Sequence, residues 1–299
     1  MKDTLGDRMK GYEDCYRFKL PKRGYTMIRV DGKAFHTYTR GLRRPFDDGL
    51  IEDMNKTAEY LCKNMMGAKF AYVQSDEISI LLTDFEKTET QPWFENNLQK
   101  MVSVAASMAT AMFNFLRLQR YFSGPMLNVV TEDAQIDTVA EHYQVGVNLE
   151  NERDDIASLI NYLPMKNKMA EFDARVWLLP NKTEVENYFI WRQQDATRNS
   201  ISSVAQSLYS HKELNGKSSD EKQEMIFQKG INWNDFDSGK KRGRFVEKVT
   251  FVNGVDVRNI PLQEIRQDDV VRNKWTVVEC PVFTQDRMFL RTRIPTNEV

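Results

Sequence analysis

Between residues 71 and 82 the chain reads "AYVQSDEISILL". Ala71, Tyr72 and Val73 form one apolar run. Ile78, Ile80, Leu81 and Leu82 form a second, and the polar break Gln74–Glu77 separates them. The pattern predicts two strands joined by a tight turn, with adjacent carboxylates, Asp76 and Glu77, just after the break. Strands this apolar are expected to be buried, and a buried carboxylate is costly unless something compensates it. Upstream, "YTMIRVDG" (25–32) predicts a buried strand that stops at Gly32. From Asp48 to Met66 apolar residues recur at helical spacing (Leu50, Ile51, Met54, Ala58, Leu61, Met65), with Gly67 as a C-terminal stop. A long Ala- and Met-rich helix is predicted over 92–118. A strand follows at 171–179, with Phe172, Ala174, Val176 and Leu178 in alternation, then a helix capped by Asn181 and reaching His211.

The order so far is strand, helix, two hairpin strands, helix, strand. It predicts an α+β fold of βαββαβ type, with one face of the sheet covered by helices. Residues 121–168 fit no element well, apart from a short helix over 154–163, and read as an insertion spanning about 114–170. Beyond His211, "KSSDEKQEMIFQKG" predicts a helix with Ser219 as cap and Gly230 as stop. "RFVEKVTFVNGVDV" predicts a hairpin turning at Asn253–Gly254. Residues 1–215 are thus expected to form a catalytic domain, with 216–299 packed on it as a helical plus β-hairpin region.

Composition narrows the chemistry. The 299 residues include three cysteines and three histidines. Cys15, Cys62 and Cys280 are too far apart for a zinc site or a disulfide framework. A bound metal would need oxygen ligands, which favours magnesium. No uninterrupted apolar run reaches the ~18 residues of a membrane span, and the charged start lacks a signal-peptide core, so a cytoplasmic protein without membrane contacts is expected. The net charge of −1 argues against a nucleic-acid coat protein. Local basic clusters nonetheless leave an RNA substrate open: Arg40, Arg43 and Arg44, then Lys240, Lys241, Arg242 and Arg244, and a looser set at Arg287, Arg291 and Arg293.

In a βαββαβ sheet the first strand lies beside the hairpin, so Asp31 and Asp76 become candidate neighbours. Converging carboxylates repel, and a divalent cation resolves the conflict. Magnesium takes one or two protein carboxylates and completes its octahedron with phosphates and water. Such geometry suits two-metal nucleotidyl transfer. Gly32 lets a phosphate or metal approach the backbone. Arg29, Lys33, Arg40, Arg43 and Arg44 supply cations for a polyphosphate. On spacing alone, an ordinary turn at Asp31–Gly32 and a hairpin corner at Asp76 explain the same residues.

Five blocks in order, "IRVDGKAFHTYTRGLRRPFD", "QSDEISILL", "FDARV", "YFIWRQQDATRNSI" and "KGINWND...KKRG", resemble the tRNA-histidine guanylyltransferase family. They are most similar to its bacterial and phage relatives, the guanylyltransferase-like 3′–5′ RNA polymerases. The resemblance covers roughly 1–113 and 171–248. It implies a palm-like core of the polymerase and nucleotide-cyclase type, and two Mg2+ ions held by Asp31, the Gly32 carbonyl and Asp76, with Glu77 close by as a third catalytic carboxylate. It implies ATP and GTP or other nucleoside triphosphates as substrates, tRNA as partner, and a homotetramer.

By the same resemblance, the loop of Gly32, Lys33, Ala34, Phe35 and His36 wraps the activating nucleotide. Arg44, Asp47, Ser75, Lys100 and Asn199 fall at nucleotide-binding positions. Arg175, Arg192, Arg198, Lys240, Lys241 and Arg242 are tRNA-contact candidates, and Asp195 matches the family's "WRQxD" block. Where eukaryotic members carry "HINNLYN", this chain has Thr197 for the histidine and Ser203 for the final asparagine. That departure favours templated repair of truncated tRNA 5′ ends over addition of one G to tRNA-His. A palm-fold nucleotide cyclase and a non-catalytic tRNA-binding protein remain the alternatives.

Overall fold

The computed structural model describes residues 4–123, 169–259 and 270–297. The short helix expected at 154–163, and most of the expected insertion, lie outside the described residues. The elements are α1 (Thr4–Asp14), β1 (Tyr25–Gly32), α2 (Phe35–Tyr38), α3 (Asp48–Asn64), β2 (Ala68–Gln74), β3 (Glu77–Thr83) and α4 (Leu98–Ser123). They continue with β4 (Phe172–Leu179), α5 (Lys182–Leu208), α6 (His211–Leu214), α7 (Ser219–Gln228) and α8 (Ser238–Arg242). The last are β5 (Arg244–Val252), β6 (Val255–Asp256), β7 (Val271–Val278) and α9 (Arg287–Arg293).

Among the described residues one sheet runs β4-β1-β3-β2-β5-β6, with β7 also paired to β5, and every pairing is antiparallel. The predicted βαββαβ order is present, and β3 lies between β1 and β2 as in a split βαβ unit. The C-terminal strands extend this same sheet through the β2–β5 pairing. Asn253 and Gly254 turn the β5–β6 hairpin, both at positive φ, as a two-residue hairpin turn requires. Strand β7 was not legible, because its exposed first half carries Arg272, Asn273 and Lys274.

Helices cover both faces of the sheet, not one. Ile28, Val30, Ala71, Val73, Ile78 and Ile80 face α3 and α4 and pack on Met54, Leu61, Met101, Ala105 and Phe113. The alternate positions Met27, Phe70, Tyr72, Leu81 and Phe245 are also apolar. They pack on Val185 and Phe189 of α5 and Leu290 of α9. Strands apolar on both faces lose the alternation that marks a solvent side, and only a second helical layer keeps them dry. Helix α4 is long and apolar enough over Leu98–Arg120 to cross a membrane by length and composition. That differs from the expectation of no such segment. Here its Met101, Ala105, Ala109 and Phe113 are buried against the sheet.

Helix starts follow side-chain caps. Asn181 accepts from the Glu184 amide, as expected. Helix α7 is capped by Ser218 with Glu221 reaching back, one residue before the predicted cap. Helix α4 begins at Leu98 rather than near Pro92, because Phe94, Glu95 and Asn96 adopt positive φ and Asn97 caps the Lys100 amide.

Gly67 joins α3 to β2 at φ +84, and a Cβ there would lie 2.5 Å from the Thr83 carbonyl oxygen. Gly67→Ala is expected to lower the unfolding free energy by about 1–3 kcal/mol, measured by urea denaturation. A loss within error of zero would show that this junction is not strained by a side chain.

Candidate active site

Strand β1 ends at Asp31–Gly32, and Ser75 and Asp76 form the turn between β2 and β3. Asp31 stands opposite Glu77 in the β1–β3 register. The Gly32 amide donates to the Asp76 carbonyl at 3.1 Å, fastening the turn to the end of β1. Ser75 holds the turn at φ 47. A Cβ on Gly32 would fall 2.2 Å from Phe35 Cδ2, so the close approach that glycine permits here is by an aromatic ring. Phe35 packs with Tyr38, Phe113 and Phe172. That cluster anchors the loop of Lys33, Ala34 and His36, whose side chains are exposed.

Negative charge gathers at this corner. Burial pushes Asp76 up to about 6, and Asp31 and Glu77 push in the same direction, against hydrogen bonds from its own backbone and Ser75. Asp76 has no ion pair among the described residues, and Asp31 has only Arg29 at 3.9 Å. Glu77 is different. Arg192 of α5 grips it from Nε to Oε1 (2.8 Å) and from Nη2 to Oε2 (2.7 Å). Burial raises the Glu77 pKa, and Arg192 and Arg29 oppose it. Ser79 donates to Glu77 at 3.1 Å and shares a 2.8 Å hydrogen bond with Tyr188.

Among the described residues no three His, Cys, Asp or Glu side chains converge as a metal cage. What the corner offers is two carboxylates, Asp31 and Asp76, without a strong counter-charge, beside the Gly32 backbone. This donor set fits a hard cation that keeps open positions for substrate oxygens.

Two cavities open at the same corner. The first, about 510 Å³, is lined by Asp31, Asp76, Arg192, Asn199, Lys240 and Arg244 among others. The second, about 570 Å³, is lined by Gly32, Ala34, Phe35, His36, Arg43 and Arg44. Asp47, Ser75 and Asp76 line both. Asp47 is fixed by accepting from the Leu50 amide as the cap of α3.

The family described as tRNAHis guanylyltransferase matches residues 6–180. The chain belongs to the tRNA(His) guanylyltransferase family. Members of this family are nucleotidyltransferases. A probable tRNA(His) guanylyltransferase of Dictyostelium discoideum is 25% identical over 79% of this chain and 82% of its own length. The tRNA(His) guanylyltransferase of Schizosaccharomyces pombe is 26% identical over 76% and 73%. A solved bacterial tRNA(His) guanylyltransferase-like protein in complex with ATP is 39% identical. It covers 97% of this chain and 99% of its own, with a TM-score of 0.71. A bacterial tRNA(His) guanylyltransferase-like protein in complex with GTP is 37% identical over the same shares, with a TM-score of 0.68.

Within this guanylyltransferase-family chain, the residues expected from sequence separate into those at the corner and those elsewhere. Asp31, Gly32, Ala34, Phe35, His36, Arg44, Asp47, Ser75, Asp76, Glu77, Asn199 and Lys240 all line one or both cavities. Lys33 does not; its ammonium pairs with Glu171 at 2.5 Å, which raises its pKa. Lys100 is not brought to the corner within one chain. It stands exposed in the first turn of α4, over the Phe94 ring. Thirteen residues of helix, about 20 Å of rise, separate it from Phe113, which packs on Phe35 of the Gly32–His36 loop.

The expected tRNA contacts divide likewise. Arg175 is exposed on edge strand β4, in register with Arg29. Arg192 is buried on Glu77 at the wall of the first cavity, because its position depends on how α5 stacks rather than on local pattern. Arg198 is exposed and donates to Asp195 at 3.0 Å. Asp195 also accepts from Arg192 (3.0 Å) and Asn199 (3.2 Å). Lys241 and Arg242 lie over the Trp233 ring. Arg287 and Arg291 face Glu186, and Arg293 pairs with Glu247, so this basic set is engaged internally. Sequence reasoning did not single out Gln74, whose buried Oε1 has no partner on the wall of the first cavity.

The Arg192 and Glu77 side chains are 7% and 9% exposed. Removing one partner of a buried pair leaves the other charge uncompensated. Arg192→Ala and Glu77→Ala are each expected to lower unfolding free energy by about 3–5 kcal/mol. In a double-mutant cycle followed by denaturation, the double variant should lose less than the sum. Strict additivity would show that the two side chains do not act on each other.

Proposed function

We propose that this chain is a magnesium-dependent nucleotidyltransferase that adds nucleotides in the 3′–5′ direction to the 5′ end of tRNA, in templated repair. The observation that carries this reading is the meeting of two nucleotide-sized cavities at one uncompensated carboxylate, Asp76. Two successive nucleotidyl steps need two nucleotide seats around one reacting centre. Bacterial relatives solved in complex with ATP and with GTP support nucleotide substrates. The βαββαβ sheet with its acidic corner supports a palm-like core. In this reading residues 1–215 form the catalytic unit and the C-terminal region lends it Lys240, while a homotetramer presents the tRNA.

In the first step a 5′-phosphate oxygen of tRNA attacks the α-phosphorus of ATP. A P–O bond forms, the α–β bond breaks, and pyrophosphate leaves. In the second step the 3′-hydroxyl of an incoming nucleoside triphosphate loses its proton and attacks the adenylylated 5′-phosphorus, and AMP leaves. The chain's own part is positioning and charge stabilisation. His36, Arg43 and Arg44 surround one nucleotide in the second cavity, and the Ser75 hydroxyl donates to a phosphate. Glu77 holds Arg192, and Arg192 holds Asp195, so the wall of the first cavity is fixed before substrate arrives. Asp31, the Gly32 carbonyl and Asp76 would hold two magnesium ions. When bound, these supply charge neutralisation of the phosphates and a lowered pKa for the attacking hydroxyl.

A second reading, addition of a single G to tRNA-His, is favoured by the family match and the names of its curated relatives. Thr197 and Ser203 weigh against it. An assay with a 5′-truncated tRNA and all four nucleotides separates the two. Restoration of the acceptor stem means repair, and one extra G opposite the discriminator means tRNA-His maturation. Asp31→Ala and Asp76→Ala are each expected to reduce addition by at least about 10²–10³-fold while the melting temperature stays within a few degrees. Chelation of divalent cations should stop the wild-type reaction. A variant that keeps most of its rate in magnesium would remove the basis for this reading.

A further inference from the structure

Arg244 opens β5 and is 8% exposed. Its Nε donates to Asn55 Oδ1 at 2.7 Å and its Nη1 to the Gly239 carbonyl at 3.2 Å. Its Nη2 is buried and has no partner. Both acceptors are neutral, and no carboxylate pairs with Arg244 among the described residues. Burial pushes its pKa down to about 10, which leaves it charged at neutral pH. A buried cation without a counter-charge is unusual, because desolvating a charge is expensive unless it is paired. The other cations lining the first cavity are matched: Arg192 with Glu77 and Asp195, Lys240 with Asp48 and Asp237. The position is also built. A Cβ on Gly239 would fall 3.0 Å from Arg244 Cγ, so the glycine cradles the arginine stem and the guanidinium is set in place beforehand.

We propose that Arg244 is the anion-binding residue of the first cavity, assisted by Lys240, and that its ligand is a polyphosphate. Two sources share this chemistry: the triphosphate tail of a nucleotide and the pyrophosphate released on transfer. The inference rests on the nucleotidyl-transfer reading above. A nucleobase would hydrogen bond to Arg244 but would leave its charge uncompensated, whereas a phosphate satisfies both, and the planar guanidinium fork suits phosphate oxygens. Asp31 and Asp76 on the same cavity repel such an anion, so the arginine gives the far end of the polyphosphate a fixed cation away from the carboxylates.

The test uses the full chain with magnesium and titrates in tripolyphosphate, pyrophosphate, ATP, GTP and adenosine by calorimetry. Arg244→Met, of similar length and without charge, is expected to weaken tripolyphosphate and pyrophosphate binding at least about tenfold. Its melting temperature should be unchanged or higher, because an unpaired buried charge has gone. Adenosine binding should not move. If the triphosphate tail is the ligand, ATP or GTP affinity falls with that of tripolyphosphate. If pyrophosphate is the ligand, ATP and GTP affinity hold while product inhibition by pyrophosphate weakens. Arg244→Lys keeps the charge without the fork and should fall between. Tripolyphosphate and pyrophosphate binding within about twofold of wild type in folded Arg244→Met overturns the proposal. So does a wild-type protein that binds neither. Should Arg244→Met not fold, unchanged binding in both Arg244→Lys and Lys240→Ala overturns it equally. Nucleotide addition to truncated tRNA, assayed on the wild type alone, reports on the underlying reading separately. Addition with an indifferent Arg244 sinks only this inference.

Discussion

Two carboxylates held together with a single distant cation, Arg29 at 3.9 Å from Asp31, are the constraint around which this molecule is arranged. Asp31 ends a central strand and Asp76 occupies the adjoining hairpin turn, and the Gly32 amide bonded to the Asp76 carbonyl keeps them at one corner. Burial first, and then repulsion from Asp31 and Glu77, raise the cost of ionising Asp76. A fold under selection for stability alone would remove such a pair. Here the pair is framed by a sheet with apolar residues on both faces and helices over each.

The neighbouring charges show how selectively compensation is distributed. Glu77 follows Asp76 directly, yet its carboxylate is doubly held by Arg192, and Asp195 accepts from the Nη2 of the same guanidinium. Glu77 therefore faces Asp31 in register as a satisfied charge, while Asp76 has no ion pair among the described residues. Arg244 is the opposite case, a buried cation whose bonds go only to neutral acceptors. The two uncompensated groups of opposite sign line one cavity, and a metal-bound polyphosphate is a single ligand able to satisfy both.

Much of the sheet's first four strands and their helices was legible from the chain. Near-continuous apolar runs gave β1 and the β2–β3 hairpin, and helical spacing gave α3 and α5 with their caps. The βαββαβ order then implied that Asp31 and Asp76 converge. Less legible were residues whose role depends on layers assembled from distant segments. "GKKRGR" reads as one basic patch, yet Lys240 lines a cavity, Lys241 and Arg242 cover Trp233, and Arg244 is buried. Arg192 reads as a surface cation on a polar helix, yet the stacking of α5 on the sheet buries it against Glu77.

The sequence by itself determined where strands and helices form, which corner gathers the carboxylates, and which family the motifs resemble. Those features depend on local periodicity and on short, ordered blocks. Only the tertiary structure decided that the second sheet face is covered, that Glu77 is ion-paired while Asp76 is not, and that one arginine of a basic run is buried on a cavity wall. The reason is physical: a charged side chain carries the same letter whether it is solvated, paired or stranded. Its state is fixed by partners far along the chain, and Glu77 and Arg192 lie more than a hundred residues apart.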